Sequence, residues 1–200
     1  MAETKRVAEL TRTTKETDIA LSLNIDGTGV SSIDTGVPFF DHMLEAFGRH
    51  GLFDLTIKAK GDLEVDAHHT VEDVGIVLGQ AFAEAMGEKR GIARFGSQML
   101  PMDETLVLAA LDISGRGQLH WDVEVPLCLL GSFDSSLAKE FFIAFATNAG
   151  VTLHVRMLTG ENAHHIVEAC FKAVGRAMRA ALELDARVGS ELPSTKGLLE

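Results

Sequence analysis

Cysteine is scarce in this sequence: the 200-residue chain contains only Cys128 and Cys170. Two cysteines cannot form a disulfide framework, and their spacing fits no zinc site, so we expect a reducing, cytoplasmic location. Long apolar runs are also missing, and no segment approaches the roughly 18 uncharged apolar residues that a membrane-spanning helix needs. Because the first residues lack the apolar core of a signal peptide, we expect neither export nor a membrane partner.

Basic residues are the second shortage, since 18 lysines and arginines stand against 29 aspartates and glutamates. The resulting net charge of −11 disfavours binding to nucleic acid or to an anionic membrane, and neither is expected as a partner. An anionic small molecule would need local arginines and lysines to hold it against this charge. The apolar fraction of 46% allows a substantial core, which fits one large domain or two halves that share a core.

The chain carries an internal repeat. Residues 16–29 align without a gap on residues 104–117, and both segments begin with Glu-Thr and end with Gly-x-Gly: ETDIALSLNIDGTG and ETLVLAALDISGRG. Each segment is an extended run rich in Ile, Val, Leu and Ala, and we interpret its end as a hairpin turn. The sequence therefore predicts a duplicated unit.

A second pair of segments, residues 68–87 and 164–183, has apolar residues at every third or fourth position, which predicts an amphipathic helix in each. A shorter helix and then a strand are predicted ahead of each one: helices at 38–51 and 135–150, strands at 52–60 and 151–158. Pro38 suits the first turn of its helix. Each half is thus predicted to run strand–strand–strand–helix–strand–helix.

These elements predict an α+β fold that arose by internal duplication. We expect two similar halves, each a small sheet of about four strands with two helices packed on one face. The halves should occupy residues 1–90 and 91–185, with the boundary near Glu88 to Arg94. Residues 186–200 should then form a C-terminal tail that closes on the active site.

Each half also carries a pair of adjacent histidines followed by a glutamate. The motif is HHTVE in the first half and HHIVE in the second. Helical residues three apart share a face, so His69 can bind an ion together with Glu72, and His165 together with Glu168. The first histidine of each pair must point elsewhere, towards the other half or a neighbouring subunit. Two such motifs at matched spacing predict metal sites.

A further histidine extends both sites. His42 lies in the first short helix, and aligning the two halves places Glu140 opposite it. We predict two metal sites that each take ligands from both pairs: one from His42, His69, Glu72 and His164, the other from His68, Glu140, His165 and Glu168. Imidazole and carboxylate ligands without thiolate suit Mn(II), Fe(II) or Zn(II). His50 follows His42 in the chain and is a candidate for lining the site.

Several segments together resemble imidazoleglycerol-phosphate dehydratase, a family of histidine biosynthesis. The resemblance covers nearly the whole chain and rests on these stretches: FFDHMLEAFGRHG, DAHHTVEDVGIVLGQA, RFGSQMLPMDE, LDISGRG, NAGVTLHVRMLTGENAHHIVEACFKAVGRAM and LPSTKG. Because no fused phosphatase domain is apparent, we expect the monofunctional form. The chain departs from the family at Glu140, where many members have histidine, and at Ala46 and Phe47, where a glutamine is often found.

The resemblance implies a lyase that dehydrates D-erythro-imidazoleglycerol phosphate to imidazole acetol phosphate. It also implies two manganese ions (Mn2+) per active site, and a 24-mer of identical subunits with active sites at the subunit interfaces. If both ring nitrogens of the substrate imidazole bind metal, the ring becomes an imidazolate that can expel the neighbouring hydroxyl group.

Roles for particular residues follow from the same resemblance. Glu16 and Glu168 are the candidate catalytic carboxylates that move protons. The implied substrate-binding residues are Glu16, His42, His50, His68, Glu72, Arg94, Arg116, His164, Lys172, Ser194, Thr195 and Lys196. Phosphate needs fixed positive charge and hydroxyl donors, which the arginines, lysines and tail residues of this set supply.

Two other functions compete with this interpretation. A dimetal hydrolase would also use two ions, but the predicted ligand set is not rich in aspartate. A ferritin-type storage protein binds metal pairs through helical carboxylates and histidines, but in a four-helix bundle rather than a duplicated α+β unit. Release of phosphate from the substrate would favour the hydrolase, and iron uptake far above two ions per chain would favour storage.

Overall fold

The computed structural model describes residues 5–199, and its first half contains four strands and two helices in the predicted order. The long second helix begins at the first histidine pair. The elements are β1 (Val7–Thr13), β2 (Thr17–Asn24), β3 (Ser31–Asp34), α1 (Pro38–Gly51), β4 (Asp54–Gly61) and α2 (His68–Met86).

The second half repeats this order with one addition, a short hairpin of two strands ahead of its first helix. Its elements are β5 (Phe95–Met102), β6 (Thr105–Asp112), β7 (Gln118–Asp122), β8 (Leu129–Leu130), β9 (Phe133–Asp134), α3 (Leu137–Ala149), β10 (Thr152–Thr159) and α4 (Ala163–Leu182). Within the described residues, no helix combines the length and the apolar character that crossing a membrane requires.

The two four-stranded sheets have the same topology. Their strand orders are β1-β2-β4-β3 and β5-β6-β10-β7. All neighbouring strands are antiparallel except at one edge, where β3 pairs in parallel with β4 and β7 pairs in parallel with β10. The predicted α+β architecture of two similar four-stranded halves is therefore confirmed.

The hairpin turns predicted after both repeated segments are wrong. β2 and β3 do not pair with each other, because β4 lies between them, and β10 separates β6 from β7 in the second half in the same way. The Gly-x-Gly sequence instead brings the chain close to the start of β4: a Cβ atom on Gly27 would lie 2.4 Å from the Asp54 backbone nitrogen. Asp54 also accepts hydrogen bonds from the backbone N–H groups of Thr28 and Val30, at 2.8 and 3.1 Å.

The helices form two layers between the sheets. α1 and α2 pack on the first sheet, and α3 and α4 pack on the second. Across the middle, α2 packs against α3 and α1 against α4, so every helix contacts one from the other half. Glycines permit this close approach, since a Cβ atom on Gly79 would lie 2.6 Å from the Phe145 carbonyl oxygen, and one on Gly175 would lie 2.5 Å from that of Phe47.

Phenylalanine side chains fill the space between the helix layers. Phe141 of α3 stacks on Phe171 of α4 with ring centroids 4.9 Å apart, and both are fully buried. Phe47 of α1 makes an edge contact with Phe145 of α3 at 5.8 Å. Because these rings belong to both halves, the core holds the two repeats together and fixes the positions of their helices.

Local hydrogen bonds fix where the helices begin. Pro38 occupies the first turn of α1, as predicted, where its missing N–H has no partner to lose. The side chain of Asn162 caps α4 by accepting hydrogen bonds from the His164 and His165 backbone N–H groups. Asp66 accepts from the His68 N–H at 2.7 Å at the matching point of α2. The histidine pairs are thereby held in the first turns of α2 and α4.

Candidate metal centre

Three predicted metal ligands meet where α1 packs against α4. One ligand atom each from His42, His164 and Glu168 lies within 4.8 Å of the other two. The Glu168 Oε2 atom is 3.0 Å from the His164 Nε2 atom and 3.7 Å from the His42 Nε2 atom. Two imidazole nitrogens and a carboxylate oxygen at this spacing fit Mn(II), Fe(II) or Zn(II), so the residues present suit the predicted ion. Among residues 5–199, no other group of three His, Cys, Asp or Glu residues is as close.

Lys172 holds Glu168 in its ionised form. Its Nζ atom lies 2.6 Å from the Glu168 Oε1 atom, while Oε2 faces the two histidines. Burial raises the pKa of Glu168, but the hydrogen bond and charge of Lys172, with smaller contributions from His42 and His164, outweigh it, so that the pKa is lower than usual. The side chain of Glu168 is only 8% exposed, so this negative charge is concentrated at the cluster.

The histidine–glutamate pairs are one residue longer in spacing than predicted. The His68 Nε2 atom lies 3.7 Å from the Glu72 Oε2 atom, and His164 faces Glu168, which makes both pairs i,i+4. The prediction instead paired each glutamate with the second histidine, and it placed Glu168 in a different metal site from His42 and His164, which the observed cluster contradicts. The difference follows from helix geometry, because side chains lean towards the N-terminus and the glutamate therefore reaches back a full turn.

The second histidine of each pair is bound to a different carboxylate. The Nδ1 atom of His69 lies 3.0 Å from Asp62 Oδ2, and that of His165 lies 2.8 Å from Glu104 Oε2. These hydrogen bonds raise the pKa of both histidines. The hydrogen bond from His165, together with backbone N–H groups, lowers the pKa of Glu104 well below its usual value. A carboxylate on Nδ1 leaves Nε2 as the atom able to bind a metal.

Two predicted residues lie apart from the cluster in this chain. Glu16 extends towards the other face of His69, with Oε1 3.9 Å from the His69 Nε2 atom and a side chain that is 54% exposed. Glu140 lies half-buried in the first turn of α3. Within the described part of the chain, no hydrogen bond or ion pair joins Glu140 to another predicted ligand.

His50 lies beside the cations that follow the cluster along α4. Its pKa is lowered by burial and then by the charges of Lys172 and Arg176, while Glu168 acts in the opposite direction. His50 is therefore neutral more readily than an ordinary histidine. That His50 lines the site stays a prediction.

Arg94, a predicted phosphate-binding residue, already forms an ion pair and hydrogen bonds within this chain. Its Nε and Nη2 atoms donate to the Asp112 carboxylate at 2.7 and 3.1 Å, and its Nη1 atom donates to the Pro193 carbonyl oxygen at 2.9 Å. Arg94 therefore anchors the tail that carries Ser194, Thr195 and Lys196. Arg116 is exposed in the turn between β6 and β7.

The sequence analysis missed Asp62 and Glu104 as partners of the site. Glu104 was identified only as the repeat equivalent of Glu16, and Asp62 lies in the loop after β4, where the matching residue of the second half is Glu161. The strict alignment of the two halves could have indicated Glu104, because it places a carboxylate at the start of the strand beside the histidine helix. The same alignment sets Asp62 opposite Glu161, so it could have indicated this carboxylate as well.

The fold and the cluster define an internally duplicated α+β protein with a histidine–carboxylate site between α1 and α4. Residues 35–178 match the family described as imidazoleglycerol-phosphate dehydratase. An enzyme of that name from Dinoroseobacter shibae is 60% identical over 97% of this chain and 100% of its own length. The chain belongs to the imidazoleglycerol-phosphate dehydratase family, a family of hydro-lyases.

Solved structures agree with this assignment. The imidazoleglycerol-phosphate dehydratase from Staphylococcus aureus subsp. aureus N315 superposes with a TM-score of 0.82 and 39% identity, covering 90% of this chain and 99% of that chain. The enzyme from Pyrococcus furiosus has a TM-score of 0.82 and 40% identity, covering 95% and 100%. The predicted family, its lyase class and its place in histidine biosynthesis are thus confirmed.

Proposed function

We propose that this chain dehydrates D-erythro-imidazoleglycerol phosphate to imidazole acetol phosphate, and that the His42–His164–Glu168 cluster is part of its metal centre. The observation that carries the proposal is this cluster, formed by predicted ligands from two separate helices. The near full-length likeness to named dehydratases supplies the substrate and the reaction. The four helices lie between two sheets, so the storage alternative gains no support.

Manganese is the proposed cofactor, with two Mn2+ ions per active site. His42, His164 and Glu168 would hold one ion, and the Nε2 atoms of His69 and His165 could serve as further metal ligands alongside the His68–Glu72 pair. When bound, the ions supply Lewis acidity and a template that takes the substrate imidazole as imidazolate. The role of Glu140 as a ligand stays a prediction.

Proton movement requires a carboxylate that can reach the substrate carbon. Both oxygens of Glu168 are occupied, one by Lys172 and the other by the two histidines, so moving it would break several charged contacts. Glu16 is more exposed, and its carboxylate lies beside the metal-facing nitrogen of His69. These contacts favour Glu16 over Glu168 as the group that moves the proton.

Positive groups near the cluster suit the phosphate of the substrate. Lys172 has hydrogen-bond donors beyond the one used by Glu168, and its side chain is only 20% exposed. Arg94 lies instead at the other end of α4, where its backbone N–H donates to the Ala181 carbonyl oxygen, and it holds Pro193 of the segment that carries Ser194 and Lys196. We propose that the tail closes on the bound phosphate, with Arg116 as a further contact.

Self-association completes the proposal. The His68–Glu72 pair finds no third ligand among residues 5–199, although it has the same i,i+4 geometry as His164–Glu168. A neighbouring subunit that supplies ligands beyond Glu140 would complete this pair. This requirement supports an assembly, for which we propose the 24-mer with active sites at its interfaces. A cytoplasmic location stays a prediction.

The decisive experiment is turnover of imidazoleglycerol phosphate, followed by absorbance, after the protein is stripped of metal by a chelator. Restoring Mn(II) should restore dehydration in the parent protein but not in His164→Gln. The matched control is His154→Gln, because His154 stacks on His120 on the outer face of the second sheet, away from the cluster. Phosphate release without dehydration would instead favour the hydrolase, and turnover unaffected by His164→Gln would refute the assigned centre.

A further inference from the structure

Two histidines at matching positions of the repeat each form the same kind of contact, but with carboxylates from different parts of the chain. His69 and His165 occupy matching positions in α2 and α4, and each has its Nδ1 atom bound by a carboxylate. In the first half the carboxylate is Asp62, which follows β4. In the second half it is Glu104, which precedes β6.

These two carboxylates are not equivalent in the repeat. Once a β-bulge in β10 is allowed for, the position that matches Asp62 in the second half is Glu161, and the position that matches Glu104 in the first half is Glu16. Each half therefore has a carboxylate at both positions, but a different one of the two bonds to the histidine Nδ1 atom. The two halves have kept the bond from Nδ1 to a carboxylate while supplying it from different points of the backbone.

We propose that Asp62 and Glu104 are positioning residues, which hold His69 and His165 in the tautomer with hydrogen on Nδ1 and so present Nε2 to the metal. An ionised carboxylate only accepts hydrogen bonds, so the nitrogen that faces it must carry the hydrogen. The lone pair of a neutral ring then lies on Nε2. This inference rests on the proposed metal-dependent function.

The hydrogen bonds of the second oxygen of Glu104 fix which side-chain atom faces His165. Its Oε1 atom accepts from the backbone N–H groups of Asn162 and Glu161, at 2.9 and 3.3 Å, and from the Thr105 hydroxyl at 2.9 Å. In Glu104→Gln, the amide oxygen must take this place because all three neighbours donate. The amide NH2 group then faces His165 and forces hydrogen onto its Nε2 atom, which can no longer bind a metal.

Asp62 lacks such an anchor. Both of its oxygens lie near the His69 Nδ1 atom, at 3.2 and 3.0 Å, and its side chain forms no other hydrogen bond within residues 5–199. In Asp62→Asn, the amide can therefore rotate its oxygen towards His69 and keep the tautomer. Glu104→Gln and Asp62→Asn each remove one charge beside equivalent histidines, yet only the first should disturb the ring.

The test is Mn(II) affinity, measured by electron paramagnetic resonance of the unbound ion. We expect Glu104→Gln to weaken binding about 10- to 100-fold, the usual effect of losing such a partner. Asp62→Asn should bind close to the parent value. The control is Asp103→Asn, because Asp103 lies 3.9 Å from the other ring nitrogen of His165 and is 81% exposed. Asp103→Asn removes one negative charge near the same ring and leaves the hydrogen bond to the His165 Nδ1 atom in place.

A second readout follows the hydrogen itself. Solid-state 15N NMR of the sedimented metal-free protein should show one histidine of Glu104→Gln moving its hydrogen from Nδ1 to Nε2. Equal losses of affinity in Glu104→Gln and Asp103→Asn, or an unchanged tautomer, would overturn the inference. A parent protein that bound no Mn(II) would refute the proposed function instead, while the NMR comparison would still decide the tautomer.

Discussion

Gly175 sets the distance between the two helices that carry the metal cluster. It lies on α4 two turns beyond Glu168, and α1 contributes His42 across the same contact. A Cβ atom at Gly175 would lie 2.5 Å from the Phe47 carbonyl oxygen, which is about 1 Å inside ordinary contact. Since a backbone atom cannot rotate away, Gly175→Ala must push α1 and α4 apart.

Two opposing effects decide the magnitude. Alanine is favoured over glycine in a helix interior by about 1 kcal/mol, whereas overpacking a tight core costs about 1–3 kcal/mol. We therefore expect a net loss of up to about 2 kcal/mol in the free energy of unfolding. Moving α1 away should also separate His42 from His164 and Glu168 and weaken Mn(II) binding.

The matched control is Gly48→Ala on α1. Its added methyl group would meet the Ser31 hydroxyl oxygen at 2.8 Å, a side-chain atom that can rotate away. We expect this variant to be neutral or slightly stabilised, with normal metal binding. Urea unfolding at one fixed protein concentration gives the free energies, because stability of an assembly depends on concentration. If Gly175→Ala were as stable as Gly48→Ala, the assigned role of the close helix contact would be wrong.

Two further predictions concern stability. Phe171→Ala, which empties a fully buried site beside Phe141, should cost about 3–5 kcal/mol in urea unfolding, and a cost below about 1 kcal/mol would contradict the packing. Hydrogen bonds from the Thr28 and Val30 N–H groups lower the pKa of Asp54, so its contribution to stability is present above the usual carboxyl pKa and is lost as the pH falls through the lowered value. The stability difference between the parent and Asp54→Asn should therefore shrink in acid, and a difference that is constant with pH would contradict the role of the charge.

The helices could be predicted closely because each buries one apolar face. Predicted residues 38–51 coincide with α1, and the predicted limits of α2 and α4 differ from the observed ones by a single residue. Strand pairing could not be predicted in the same way. The residues between β2 and β3 do not reveal whether β3 will pair with β2 or with β4. The pairing depends on β4, which comes later in the chain and lies between β2 and β3 in the sheet.

The site residues also divide into those that local sequence spacing predicts and those that depend on distant parts of the chain. The histidine pairs and His42 could be recognised from spacing within the repeat, because duplicated helices keep their register. The identity of the partner on each ring nitrogen depends on loops and strand ends, which alignment of the halves does not constrain. Asp62 and Glu104 reach equivalent atoms from non-equivalent positions, so the repeat, which has carboxylates at both positions, cannot say which one each ring uses.

The packing of helices from one half against those of the other predicts which metal site Glu140 belongs to. α1 contributes His42 to the His164–Glu168 pair of α4, and α3 packs against α2 in the corresponding way. Glu140 on α3 is therefore the counterpart of His42 for the His68–Glu72 pair.

Glu140→Gln should therefore change one class of Mn(II) site and leave the other intact. Losing a ligand charge should weaken binding at the His68–Glu72 pair, whereas the cluster around Glu168 keeps all three of its ligand atoms. Mn(II) titration followed by calorimetry would show the parent with two similar sites per chain and the variant with one tight and one weakened site. Since Lys139 is the adjacent exposed residue, Lys139→Gln controls for a change of charge on α3. Equal weakening of both sites, or of neither, would remove Glu140 from the ligand set.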